Sequence, residues 1–245
     1  MKKLKYFLVS LNILFSRSFL YSQSKASEIL KDMLLSRLKG LDREFQVTIG
    51  NTAVNLPEID TSKLEKKNRG NSNSSYSSSY ELDHVPEIFH DIIDQNIQNI
   101  SNYLGRDFLY ENPVVFRNYK IPQEFYNYDI YSNIWHQDSH DGNRFLKIFI
   151  LTHTVNADDG PFIFLEYKDV KKYWHDLKDR WSWNSMKETK RFKEEIQLIG
   201  ERNDFLILDS SRSMHRASIP KTSRDILQIC LYPKWRKNNS RYKFI

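Results

Sequence analysis

Asn133-Ile134-Trp135-His136-Gln137-Asp138 is the stretch from which the rest of the chain reads outward. A histidine and a carboxylate stand two residues apart, shortly before the apolar run Phe145-Leu146-Lys147-Ile148-Phe149-Ile150. In an extended segment residues i and i+2 point to one face, so His136 and Asp138 would reach one metal ion together. The chain holds no other His-x-Asp. The spacing alone is weak, because a surface-turn pair produces it too. What lies downstream gives it weight.

His215 stands in the polar connection Ser210-Ser211-Arg212-Ser213-Met214-His215-Arg216, between apolar strand candidates at 205–209 and 226–232. A histidine at the mouth of a strand pair reaches across a barrel. Arg224 follows nine residues later, at the entry to the last strand, and its planar fork of donors matches a carboxylate. An ion pair with Asp225 or Asp209 is the structural alternative for it, and Arg216 is a rival anchor. Two imidazoles and one carboxylate on one face of a metal leave the opposite face open, as non-haem Fe(II) oxygenases require.

Further strand candidates lie at 114–119, 130–136, 146–154 and 162–167, with turn signals at Asp141-Gly142-Asn143 and Asp158-Asp159-Gly160-Pro161. This spacing favours an antiparallel sandwich or barrel over βαβ units. Upstream, residues 1–40 read as helical, 44–49 alternate like a strand ending in a Gly50-Asn51 turn, and 86–104 carry an apolar helical stripe closed by Gly105. Residues 170–199 form a charged, Trp-bearing insertion.

Composition bounds the function. The chain has 245 residues with 40% hydrophobic and 14% aromatic side chains, enough for an aromatic-rich core. A net charge of +6, gathered toward the two ends, comes without a nucleic-acid fold signature, so no nucleic-acid partner is expected. The single cysteine, Cys230, excludes an internal disulfide and a Cys-rich zinc site and reads as a buried small hydrophobe. The apolar stretch behind Lys2, Lys3 and Lys5 is too short to span a membrane and reads as an amphipathic helix rather than a signal. A cytoplasmic location is expected.

As an ordered set, His136-Gln137-Asp138, Asp141, the 145–150 run, Asp159-Gly160-Pro161-Phe162, then 203–209, His215 and Arg224 resembles the phytanoyl-CoA dioxygenase family of Fe(II)/2-oxoglutarate-dependent oxygenases. The resemblance covers roughly residues 80–233. It implies a mainly β chain with flanking helices, built as a double-stranded β-helix, a jelly-roll relative of the cupins. It implies His136, Asp138 and His215 as iron ligands, Arg224 as anchor of the distal carboxylate of 2-oxoglutarate, and Asn133 and Lys147 beside the co-substrate. Two departures matter. The Gly-Ser-His that many relatives carry after Gly-Pro is replaced by Phe164-Leu165-Glu166-Tyr167, and the 170–199 insertion is distinctive. Both lie where substrate choice resides. The carboxylate ligand is kept, which favours hydroxylation over halogenation.

The expected organisation is a helical and strand segment at 1–67 packed on the core, a Ser/Asn-rich flexible loop at 68–79, the dioxygenase domain at 80–233 and a basic tail at 234–245. The expected activity is hydroxylation of a small-molecule C–H with Fe(II), 2-oxoglutarate and O2, releasing succinate and CO2. A non-catalytic jelly-roll binding module and a facial-triad oxygenase without an oxoacid are the alternatives. His84 and His90 are expected in solvent, His140 and Asp141 in a turn, and His153 in the core. Trp174, Trp181 and Trp183 serve packing or floor a pocket.

Overall fold

A computed structural model describes residues 34–35, 37–42, 44–66, 76–128, 130–138, 144–167, 195–234 and 243–244. The expectations for residues 1–33, for the Asp141-Gly142-Asn143 turn, for His140, and for Trp174, Trp181 and Trp183 fall outside them.

The strands in chain order are β1 (Thr48–Asn51), β2 (Glu65–Lys66), β3 (Ser77–Glu81), β4 (Phe108–Tyr110), β5 (Val114–Tyr119), β6 (Leu146–Leu151), β7 (Phe162–Phe164), β8 (Ile196–Leu198), β9 (Asp204–Leu208), β10 (His215–Ala217), β11 (Ser223–Pro233) and β12 (Lys243–Phe244). One antiparallel sheet runs β1-β9-β6-β11-β5-β3-β2, with β4 added on β11 and β12 on β4. The second runs β10-β7-β8. An isolated bridge between His136 and His215 sets the 134–138 segment beside β10 as a fourth member. From β5 the chain crosses to His136, back to β6, over to β7 and β8, back to β9, over to β10 and back to β11. That repeated crossing between two facing sheets is the path of a double-stranded β-helix.

Side-chain alternation builds two cores. On β6 and β11, Ile148, Ile150, Leu227, Ile229 and Leu231 face outward. They pack on the helices α1 (Glu87–Gln95) and α2 (Ile97–Leu104), which contribute Ile88, Phe89, Ile92, Ile93, Ile100, Tyr103 and Leu104. Phe149, Leu151 and Ile226 face inward, onto Phe162 and Phe164 of the small sheet. Cys230 is buried, as its apolar setting predicts.

Four expectations change. The 86–104 helix is two helices, because Asn96 leaves the helical region (φ −114, ψ 10) and its amide donates to Ile92 O at 2.8 Å. Residues 130–136 make no strand. The Asn133 side chain occupies the neighbouring backbone groups, and Ser132 adopts φ 67. The end of the Ser/Asn-rich segment is strand rather than loop: Ser77, Ser78 and Ser79 are buried and paired with β5. Gly50 lies within β1, not in a turn, and its missing side chain makes room for the Phe205 ring, whose Cζ would stand 2.8 Å from a Cβ there. At the other end, Lys243 and Phe244 of the basic tail pair with β4. Among the described residues no helix is long and apolar enough to cross a membrane.

Candidate metal centre

His136 and His215 are joined through the backbone. Each N–H donates to the other's carbonyl at 3.0 Å. Their rings therefore stand side by side, centroids 4.4 Å apart. His215 opens β10 instead of lying in a loop, and both histidines are 3% exposed. Asp138 is fixed by its own N–H, which donates to Ser210 O at 3.0 Å, while Gln137 Nε2 donates to Arg212 O at 2.6 Å. The 210–213 turn thus holds the His-x-Asp segment at both polar positions.

Each ring has its far nitrogen spoken for. His136 Nδ1 lies 2.8 Å from Ile134 O, and His215 Nδ1 lies 3.0 Å from Ser213 O. A carbonyl only accepts, so Nδ1 carries the proton and the Nε2 lone pair is turned inward. Nε2 of His136 is 3.8 Å from Asp138 Oδ1, and Nε2 of His215 is 3.2 Å from Asp138 Oδ2. The three donor atoms lie within 4.8 Å of one another. Phe162 stacks on His215 at 5.3 Å and Phe149 backs Phe162 at 4.4 Å, giving the donors an apolar wall.

The electrostatics keep the donors ready for a cation. Burial, aided by the neighbouring His215, pushes the His136 imidazole down to about 3, so it is neutral near pH 7. Burial works to raise the Asp138 carboxyl. The Lys147 ammonium, the largest of the opposing influences, helps hold that carboxyl well below its ordinary value. Lys147 Nζ lies 2.7 Å from Asp138 Oδ2. Lys147 therefore meets the cluster through its carboxylate.

Arg224 is 3% exposed. Its Nη1 donates to Gly160 O at 2.6 Å, and its buried Nε has no partner among the described residues. The carboxylates that might have claimed it are engaged elsewhere. Asp225 binds Arg117 at 2.5 and 2.6 Å, and Asp209 takes hydrogen bonds from Tyr103 and Ser211. Arg216 points away, over the Trp135 ring and toward Glu195. Burial pulls the Arg224 guanidinium down to about 10.

The amide of Asn133 does not face a co-substrate. Its oxygen accepts from Ile130 N and Tyr131 N, and its Nδ2 donates to Tyr126 O and Tyr128 O. Donors and acceptor are spent on the loop, so bracing replaces the expected contact. His84 and His90 are exposed as expected. His153 is half-buried just past β6, beside Thr152 Oγ1, rather than in the core. Two features went unread in the sequence: Tyr131, with a buried hydroxyl that has no partner among the described residues, and Asn118, which pairs with Arg224 across β5 and β11. The inward register of a polar residue on β5 was the available clue for Asn118.

Strand order and donor set define the class: a double-stranded β-helix carrying two imidazoles and a carboxylate on one interior face, the arrangement of a facial metal site. No family model matches the chain, and no curated protein matches it. Among solved structures it is similar to HygX from Streptomyces hygroscopicus with nickel and 2-oxoglutarate bound. The identity is 10%, the TM-score 0.41, and the match covers 84% of this chain and 87% of that one. It is also similar to the non-heme alpha ketoglutarate dependent carbocyclase SnoK from nogalamycin biosynthesis, at 10% identity over 75% of this chain and 81% of that one, TM-score 0.47. The fold assignment rests on the strand order, not on these distant likenesses.

Proposed function

We propose that the chain is an Fe(II)- and 2-oxoglutarate-dependent dioxygenase that hydroxylates a C–H bond of a small molecule. The observation that carries this reading is the convergence of His136 Nε2, His215 Nε2 and an Asp138 oxygen within 4.8 Å, inside the same sandwich that buries Arg224 without a carboxylate partner. A site with only three protein donors leaves coordination positions for a chelating oxoacid and O2. Bound iron would supply oxygen activation coupled to oxidative decarboxylation of the oxoacid to succinate and CO2.

The chain's own residues do the rest. His136 offers a neutral imidazole, and both His136 and His215 have Nδ1 fixed on a backbone carbonyl. Asp138 offers a carboxylate that Lys147 keeps ionised. Phe149 and Phe162 exclude water beside His215. Arg224 holds the far carboxylate of the oxoacid, a fit supported by its unmatched charge. A facial-triad enzyme without an oxoacid would have no use for that charge. The ordered resemblance to the phytanoyl-CoA dioxygenase family supports the same assignment, while the rebuilt 164–167 segment separates the substrate from the family's.

The test is succinate release by purified protein supplied with Fe(II), 2-oxoglutarate, O2 and candidate substrates. Release that needs Fe(II), 2-oxoglutarate and O2 supports the reading. Normal turnover by Asp138→Ala protein would overturn it.

A further inference from the structure

Resting on that function, we propose that Tyr131 is a second donor for the distal carboxylate of the oxoacid, presented beside Arg224 by a loop that Asn133 clamps. The starting observation is a pair of buried polar atoms with nothing to bond. Tyr131 is 6% exposed, and its Oη is fully covered and has no hydrogen-bond partner among the described residues. Arg224 Nε is in the same condition. Buried polar groups are normally hydrogen-bonded, and of the nine such atoms without a partner among the described residues these two belong to groups that act on each other's charge.

Their surroundings point to an anion. Arg224 pairs in register with Asn118 of β5, and Asn118 with Ser77 of β3, so the three side chains share the inward face; all three residues are buried. This polar row interrupts an interior otherwise built from Ile226, Leu151 and Phe149. The Tyr131 ring packs with Ile121 and Ala217, and Ala217 lies two residues beyond His215 on the same face of β10. The hydroxyl is thus held on the interior that the metal donors face. Arg224 already spends Nη1 on Gly160 O. A carboxylate meeting its remaining donors still has lone pairs to satisfy, and a phenolic O–H supplies that bond. Burial raises the Tyr131 hydroxyl and the Arg224 charge opposes the rise, as expected of two groups sharing one enclosure.

The loop geometry explains how the hydroxyl is aimed. Asn133 Oδ1 accepts from Ile130 N at 2.8 Å and Tyr131 N at 3.5 Å, and Nδ2 donates to Tyr128 O at 2.9 Å. Ser132, between Tyr131 and Asn133, is held at φ 67, a conformation that a serine rarely adopts unaided. Ala217 N donates to Ser132 O at 2.9 Å and ties the loop to β10. Asn133 is therefore a positioning residue that acts through Tyr131.

The experiment uses full-length protein loaded with nickel(II) as a redox-inert stand-in. Calorimetry measures binding of 2-oxoglutarate and of pyruvate, which keeps the chelating half and lacks the distal carboxylate. Tyr131→Phe is expected to weaken 2-oxoglutarate by about tenfold while nickel and pyruvate stay within about twofold. Asn133→Ala is expected to show the same selective loss. Unchanged 2-oxoglutarate affinity in Tyr131→Phe protein overturns the proposal, as does an equal loss for both oxoacids. Wild-type protein that binds nickel but neither oxoacid overturns the parent reading and this one with it.

Discussion

His136 and His215 exchange both backbone hydrogen bonds at 3.0 Å, which brings residues far apart in the chain to a ring separation of 4.4 Å. The bridge is the only strand-like pairing that the His-x-Asp segment makes among the described residues. The grouping of the three candidate donors and the fourth member of the small sheet are thus one structural event, so removing one of those side chains leaves the backbone bridge in place.

Asp138→Ala protein is therefore expected to fold and to lose metal affinity by about a hundredfold or more, since it loses the only anionic donor of the cluster. Calorimetry with Fe(II) or nickel(II), beside circular dichroism, checks this. Wild-type affinity in the variant would contradict the assignment.

Acid should destabilise the metal-free protein. His136 titrates near 6.5 when unfolded and near 3 when folded. Between those values only the unfolded chain takes up the proton. Stability present above pH 6.5 is then lost as pH falls, at up to about 1.4 kcal/mol per pH unit. Asp138, also depressed on folding, acts in the same direction below about its ordinary 3.8. Melting curves at pH 7.5 and 5.0 should show a lower Tm at pH 5.0, and a smaller difference in His136→Asn protein. Equal Tm values at both pH values would refute the argument.

Lys147→Met removes the cation that sits 2.7 Å from Asp138 Oδ2. It leaves a partly buried carboxylate without its ammonium partner, so the metal-free protein should melt lower. A divalent metal then has less positive charge to compete with. The rise in Tm on adding nickel(II) should be larger than in wild type. A smaller rise would place Lys147 among the groups that support the metal.

Gly160 has φ +73, and a Cβ there would lie 2.5 Å from Pro220 N and 2.9 Å from Ile219 C, both backbone atoms that cannot step aside. Its carbonyl also accepts from Arg224. Gly160→Ala should cost about 2 kcal/mol or more in urea unfolding and weaken 2-oxoglutarate together with stability. An unchanged unfolding midpoint would count against the packing described.

The grouping of His136, Asp138 and His215 was legible in the sequence because each part has a local sign: the i, i+2 spacing of His136 and Asp138 and a histidine ahead of the last strand. What was hidden depends on distant pairing. Ser77 to Ser79 read as loop by composition, and only the ladder with β5 makes them strand. Residues 130–136 read as strand from their apolar residues, yet one side chain, Asn133, claims the backbone groups of a ladder. Asn96 carries a hydrogen bond that breaks a helix whose apolar stripe runs on without interruption. Tyr131 is one of 14 tyrosines and gains meaning only once folding sets it near Arg224.

The most direct test is an anaerobic titration of the Fe(II)-loaded protein with 2-oxoglutarate, followed by the visible charge-transfer absorption that chelation of an oxoacid to ferrous iron produces. The account predicts a saturable band at one equivalent per chain, weakened in Arg224→Lys protein and absent in Asp138→Ala protein. No band in the wild type, or the same band in Asp138→Ala protein, would contradict it.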